Sequence, residues 1–155
     1  MNPDFMREAL RLATDAMRNK CGGPFGAVIV RDGEIIGRGW NQVTTANDPT
    51  AHAEVMAIRD ACARLGTFKL EDCELYASCE PCPMCLAAAH WARVGKVFYA
   101  ATRTDAAAAG FDDERLHREI ALPPGQRKLL MEQLLRTEAQ TIFKEWIAKS
   151  DKTPY

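Results

Sequence analysis

Leu75-Tyr76-Ala77-Ser78-Cys79-Glu80-Pro81-Cys82-Pro83-Met84-Cys85 is the stretch on which the fold turns. Leu75–Ser78 reads as a short strand. Pro83 suits the first position of a helix, where its missing N–H is not needed, so Cys82 becomes the N-cap. Gly95 is the predicted stop of that helix, and Val97–Ala101 follows as a second short apolar strand. Two strands joined through a helix pair in parallel with a right-handed crossover.

Working toward the N-terminus, the segment Asp48-Pro49-Thr50 carries helix-start signals. The helix it opens presents Ile58, Ala61, Cys62 and Leu65 on one face and stops at Gly66. Ala27–Arg31 and Glu34–Trp40 are β-rich and joined by Asp32-Gly33, a strong hairpin signal. Residues 3–19 place Phe5, Met6, Ala9, Leu12, Ala13, Ala16 and Met17 at helical spacing. Beyond Gly110, Pro123-Pro124-Gly125 marks a turn. Residues 127–149 then read as mainly helical, with Leu130, Leu134, Ile142, Phe143 and Trp146 predicted to pack inward. The resulting order is α, β-hairpin, α, β, α, β, then helices. It predicts an α/β fold, a three-layer αβα sandwich around a central mixed sheet.

At 155 residues the chain has the length of one domain, 1–155, and 47% hydrophobic with 26% charged residues is a globular mix. The net charge of -1 is spread without a basic stripe, which argues against a nucleic-acid partner. No apolar run approaches the roughly 20 residues of a membrane span, and Met1-Asn2-Pro3-Asp4 lacks the features of a signal peptide. The expectation is a cytoplasmic protein with no membrane partner. Six cysteines in a reducing compartment are then buried thiols or metal ligands rather than disulfides.

His52-Ala53-Glu54 and Pro81-Cys82-Pro83-Met84-Cys85 both fall in predicted first turns of helices. Cys82 and Cys85, three apart, point to one side of their turn. The partial positive charge of a helix N-terminus favours the thiolate that metal binding needs. With His52 they make a Cys₂His set, one ligand short of a tetrahedron. A catalytic zinc keeps that position for a water, lowering its pKa to about 7. Glu54 stands beside the set as a carboxylate able to carry protons. His-x-Glu with Pro-Cys-x-x-Cys is the signature of zinc nucleobase deaminases. The competing reading makes Cys79 a fourth ligand and the site a closed structural centre in a non-catalytic binding module, which leaves Glu54 without a role. A chelator separates the two, since a structural centre unfolds with its metal. Glu80 is a second carboxylate near the metal, with fixing the turn as its plainer reading, and Glu54 is preferred to it as the proton shuttle. Gly22-Gly23-Pro24-Phe25-Gly26 reads as a tight loop near a ligand, because no Gly-Lys-Ser/Thr follows it to make a phosphate loop.

With these residues in view, the chain resembles the cytidine-deaminase-like superfamily, and within it the bacterial-type guanine deaminases. The likeness runs through Gly22–Val28, Asn41-Gln42-Val43-Thr44-Thr45, Asn47–Glu54, Ser78–Cys85, Trp91-Ala92-Arg93, Ala109-Gly110-Phe111-Asp112-Asp113 and the final Tyr155. It implies hydrolysis of the free purine base guanine to xanthine and ammonia. One zinc per chain would be held by His52, Cys82 and Cys85, with Glu54 as the proton shuttle. Phe25 and Trp91 would flank the purine, Asn41 and Asp113 would hydrogen-bond its edge, and Tyr155 would close the pocket. It also implies a homodimer that exchanges C-terminal segments, within a helical tail of about residues 112–155. The tRNA adenosine deaminases share Asp48–Glu54 and are the nearest rival, but the near-neutral charge disfavours a polyanionic substrate.

Overall fold

A computed structural model describes residues 2–111 and 113–154; Met1, Asp112 and Tyr155 lie outside the described residues. Four strands, β1 (Gly26–Arg31), β2 (Glu34–Trp40), β3 (Cys73–Cys79) and β4 (Lys96–Ala101), form one sheet in the order β2-β1-β3-β4. β1 is antiparallel to both neighbours, whereas β3 and β4 are parallel, so the sheet is mixed as the sequence predicts. The hairpin turn places Asp32 at φ 51° and Gly33 at φ 80°, the two positive values that a tight two-residue turn matching strand twist requires.

Alternation along the strands sends side chains to two separate cores. Leu12 of helix α1 (Pro3–Arg18) packs with Val28, Val30 and Tyr76 on one face. Ala27, Ile29 and Leu75 face the other way, against Ala57, Ile58 and Ala61 of α3 (Ala53–Leu65) and Ala89 of α4 (Pro83–Trp91). That gives the three predicted layers. Between β2 and α3, Val43–Ala46 forms a one-turn helix, α2, that the sequence reading does not anticipate. Its β-branched Val-Thr-Thr run is a poor helix former. Thr45 Oγ1 donates to the carbonyl of Cys21 at 3.2 Å, and Asn47 ends the turn at φ 50°.

The start of α3 is set by the closeness of β2. A Cβ at Gly39 would lie 2.1 Å from the carbonyl oxygen of Ala53 and 2.4 Å from the nitrogen of Ala57. Only glycine admits helix backbone that near. On the outer side, Glu8 of α1 accepts from Arg11 Nε at 2.7 Å and from Arg38 Nε of β2 at 3.0 Å. The Arg11 hydrogen bond, reinforced by Arg38 and opposed by partial burial, lowers the carboxyl of Glu8 to about 2.

Helix α4 ends at Trp91, earlier than Gly95 suggests, because Arg93 takes the left-handed conformation at φ 60° while Val94 N–H reaches back to Ala89. After β4 come α5 (Arg103–Ala108) and α6 (Asp113–Ala121).

Two compact units divide the chain, Met1–Arg118 and Glu119–Tyr155. The second contains α7 (Arg136–Ala148), and here the sequence expectation is corrected. Residues 127–135 are not helical. Arg127 donates to the carbonyls of Leu122 and Ile120, and Lys128 N–H to Glu119, which holds the chain in a turn where helix was predicted. Leu130, Leu134, Ile142, Phe143 and Trp146 do not pack inward within the unit; Leu130 is 83% exposed.

Candidate active site

The two helix starts predicted to carry chemistry meet at one end of the sheet. His52 is the N-cap of α3 and Cys82 the N-cap of α4. Ser, Thr, Asp or Asn normally holds such a position and bonds a backbone N–H of the first turn. Neither side chain does so here. Both turn instead toward a common point, where Cys85 joins them one turn into α4. Cys82 Sγ and Cys85 Sγ are 3.6 Å apart, and His52 Nδ1 lies 3.7 Å from the first and 3.6 Å from the second.

These separations test the fit to a metal. Around a tetrahedral zinc with bonds of about 2.3 Å to sulfur and about 2.0 Å to nitrogen, neighbouring ligand atoms stand about 3.5–3.8 Å apart. The trio matches all three edges, and it is the one group of three metal-capable side chains among the described residues. Its electrostatics agree. The hydrogen bond between Cys82 and Cys85, with help from His52, lowers Cys82 to about 4, against the effect of burial. Cys85 is pushed upward by the same Cys82 thiolate, and that thiolate also raises the imidazole of His52. The cluster's own hydrogen bonding thus favours a thiolate at Cys82.

Cys79 stands outside the trio. It is buried, its Sγ donates to the carbonyl of Thr102 at 3.5 Å, and burial raises it to about 11. Cys79 is not among the clustered side chains, and those three are one ligand short of a tetrahedral set.

Glu54, in the first turn of α3, is 8% exposed, and its Oε2 accepts from Cys85 Sγ at 3.4 Å. Burial raises its carboxyl above the usual range. Such a carboxyl can hold a proton and release it. It opens onto a cavity of about 380 Å³, lined also by Gly23, Phe25, Asn41, Cys79, Glu80, Phe111 and Asp113 as well as His52 and Cys82. Asn41 Oδ1 accepts from the N–H groups of Val43 (3.2 Å) and Gly23 (3.4 Å). With its oxygen committed to backbone, Asn41 offers the cavity its NH₂ group, as a donor.

Most of the residues singled out from sequence thus converge here: His52, Glu54, Cys82, Cys85, Phe25, Asn41 and Asp113. Trp91 does not. It is the last residue of α4, is 64% exposed, and forms no part of the cavity wall. Tyr155 lies outside the described residues. The aromatic side chain that accompanies Phe25 is Phe111, with ring centroids 4.7 Å apart and planes at 80°. The likeness read from the sequence includes it, in Ala109-Gly110-Phe111-Asp112-Asp113, without giving it a role. Glu80, also on the cavity wall, accepts at Oε2 from the N–H of Arg103 at 3.1 Å.

Residues 2–101 match the zinc-binding region of cytidine and deoxycytidylate deaminases. The chain is 54% identical over 151 residues to guanine deaminase of Bacillus subtilis (strain 168), covering 97% of each sequence. The X-ray structure of guanine deaminase from Bacillus subtilis superposes with a TM-score of 0.96 at 53% identity, over 100% of this chain and 99% of that one. A tRNA-specific adenosine deaminase of Aquifex aeolicus is 50% identical over 97 residues, 63% of this chain and 64% of that relative.

Proposed function

The chain belongs to the cytidine and deoxycytidylate deaminase zinc-binding family, and from that premise we propose that it is a guanine deaminase, converting guanine and water to xanthine and ammonia. The observation that carries this reading is the extent of the match. Similarity to the Bacillus subtilis guanine deaminase spans 97% of the chain, whereas similarity to the Aquifex aeolicus tRNA-specific adenosine deaminase spans 63%.

His52, Cys82 and Cys85 would hold the zinc. Bound there, the metal would supply a water that ionises near pH 7. The residues of the chain do the rest. C2 of guanine lies between two ring nitrogens and bears the amine, so water adding there needs a proton placed on the ring and another on the departing amine. Glu54 takes a proton from the water and delivers it to ring nitrogen, then serves the amine in the same way. Its raised affinity for a proton suits both directions. Phe25 presents an apolar wall to the flat base. Asn41 donates to an acceptor on the purine edge, and Asp113 accepts from its N–H groups.

Ammonia release from guanine, guanosine, cytosine, adenine and tRNA tests the reading. Guanine is expected to react fastest, and preference for any other compound in the set overturns it. Asn41→Asp sharpens the test, because it keeps an oxygen for Gly23 and Val43 but removes the donor. The expected result is a KM for guanine raised at least tenfold, with zinc content and Tm unchanged. A KM within twofold of wild type removes Asn41 from recognition.

The same reading makes the enzyme a homodimer that exchanges C-terminal segments. Its support is the second unit, whose Leu129, Leu130, Leu134, Ile142, Phe143 and Ile147 are all more than half exposed. An apolar surface of that extent is normally covered. Light scattering is expected to give about twice the 17.2 kDa of one chain, and Leu130→Glu combined with Leu134→Glu is expected to reduce that mass. A monomeric wild type ends this part of the proposal. Zinc thiolates and six unpaired cysteines fit a cytoplasmic enzyme; among the described residues no helix is long and apolar enough to cross a membrane.

A further inference from the structure

We infer that Phe111 determines specificity, forming with Phe25 a right-angled corner that sets how large a base the site admits. The inference rests on the free-base reading above. Two aromatic rings at 80° with centroids 4.7 Å apart make an edge-to-face pair. A flat heterocycle laid on the face of one ring meets the other along its own edge. One ring therefore limits where the base can stack, and the other limits how far a substituent extends.

Phe111 has no evident alternative task. Phe25 packs against the core on the α3 side of the sheet, so its position would be needed without any substrate. Phe111 belongs to neither core cluster, yet it is half-buried on the cavity wall. It is also braced. Its N–H donates to the carbonyl of Ala106 at 3.0 Å, returning the chain onto the end of α5. The start of α5 is closed by a Thr102–Asp105 capping box and by the bond from Arg103 N–H to Glu80, two residues before Cys82. The ring is thus carried on an arm anchored to the same loop that brings in the metal ligands. That arrangement gives the precision a binding wall requires.

The experiment compares Phe111→Ala, Phe111→Leu and Phe111→Tyr with wild type, measuring kcat and KM on the free base that wild type deaminates fastest and on its nucleoside. Zinc content and Tm are recorded alongside. Phe111→Ala is expected to raise KM for the base about tenfold or more, with a smaller change in kcat and one zinc per chain retained. The nucleoside-to-base ratio of kcat/KM is expected to rise. Phe111→Leu keeps apolar bulk without a ring and should fall between, so it serves if the alanine variant does not fold. Phe111→Tyr restores the ring and is expected to lie within about threefold of wild type. Three results overturn the inference: a KM within twofold of wild type in the alanine and leucine variants, equal impairment of the tyrosine and alanine variants, or a KM change that follows zinc loss. A wild type preferring a base other than guanine would defeat the substrate assignment alone, since the corner is then tested on that base.

Discussion

Glu54→Gln is expected to retain zinc and fold while its turnover of guanine falls by about 10⁴-fold or more. A general acid–base group typically contributes about 10²–10⁴-fold. In the proposed mechanism Glu54 serves more than one transfer in a single turnover, so the loss belongs at or beyond the upper end, about 5 kcal/mol of transition-state stabilisation. Glutamine preserves the shape and an oxygen for the Cys85 contact at 3.4 Å. What it cannot do is bind and release a proton. The environment of Glu54 accentuates that difference, because burial raises the carboxyl above its usual range. Thermal unfolding and metal content of the variant should match wild type, separating a chemical defect from a folding one. A zinc-replete Glu54→Gln enzyme with substantial residual turnover would remove Glu54 from the mechanism and leave Glu80 as the remaining glutamate on the cavity wall.

What could be read from the amino-acid sequence follows from where its constraints are local. Pro83 and the cysteines around it announce a helix start by backbone chemistry alone, and Cys82 is indeed the N-cap of α4. The hairpin at Asp32-Gly33 is legible for the same reason, since few residue pairs tolerate two positive φ values. His52 is harder. Asp48 and Thr50 precede it as candidate caps, but they are used on each other: Asp48 Oδ1 accepts from both the N–H and the hydroxyl of Thr50. The helix begins only when β2 brings Gly39 against Ala53, a tertiary constraint with no local signature.

Where an expectation fails, a pattern has been read without its surroundings. Leu130, Leu134, Ile142 and Phe143 have spacing suited to an inward face, yet periodicity shows only that a face is apolar, not which chain covers it. Trp91 and Phe111 illustrate the same limit for function. Both are aromatic residues beside a helix end, and only the three-dimensional arrangement separates the one left 64% exposed from the one placed against Phe25.

Zinc content in three cysteine variants supplies the second large effect. Cys82→Ser and Cys85→Ser are expected to lose the metal, whereas Cys79→Ser keeps one zinc per chain. All three cysteines lie at even spacing in the sequence, so sequence distance does not separate them. Geometry does. Cys82 and Cys85 stand within 3.7 Å of His52 Nδ1, while Cys79 gives its proton to the carbonyl of Thr102. Serine at position 79 can make that same donation, so the fold should tolerate it. At either ligand position serine offers a hydroxyl that does not ionise near neutral pH, in place of a thiolate. The trio then drops to two good ligands, too few to compete with water for the ion. Metal analysis after exhaustive dialysis decides the matter, with ammonia release from guanine as a second readout. If Cys79→Ser lost zinc as completely as the other two, the centre would be a closed Cys₃His site. With no position left for water, hydrolysis at the metal would have no starting point. Retention of zinc by Cys79→Ser alone is the result that an open, catalytic centre requires.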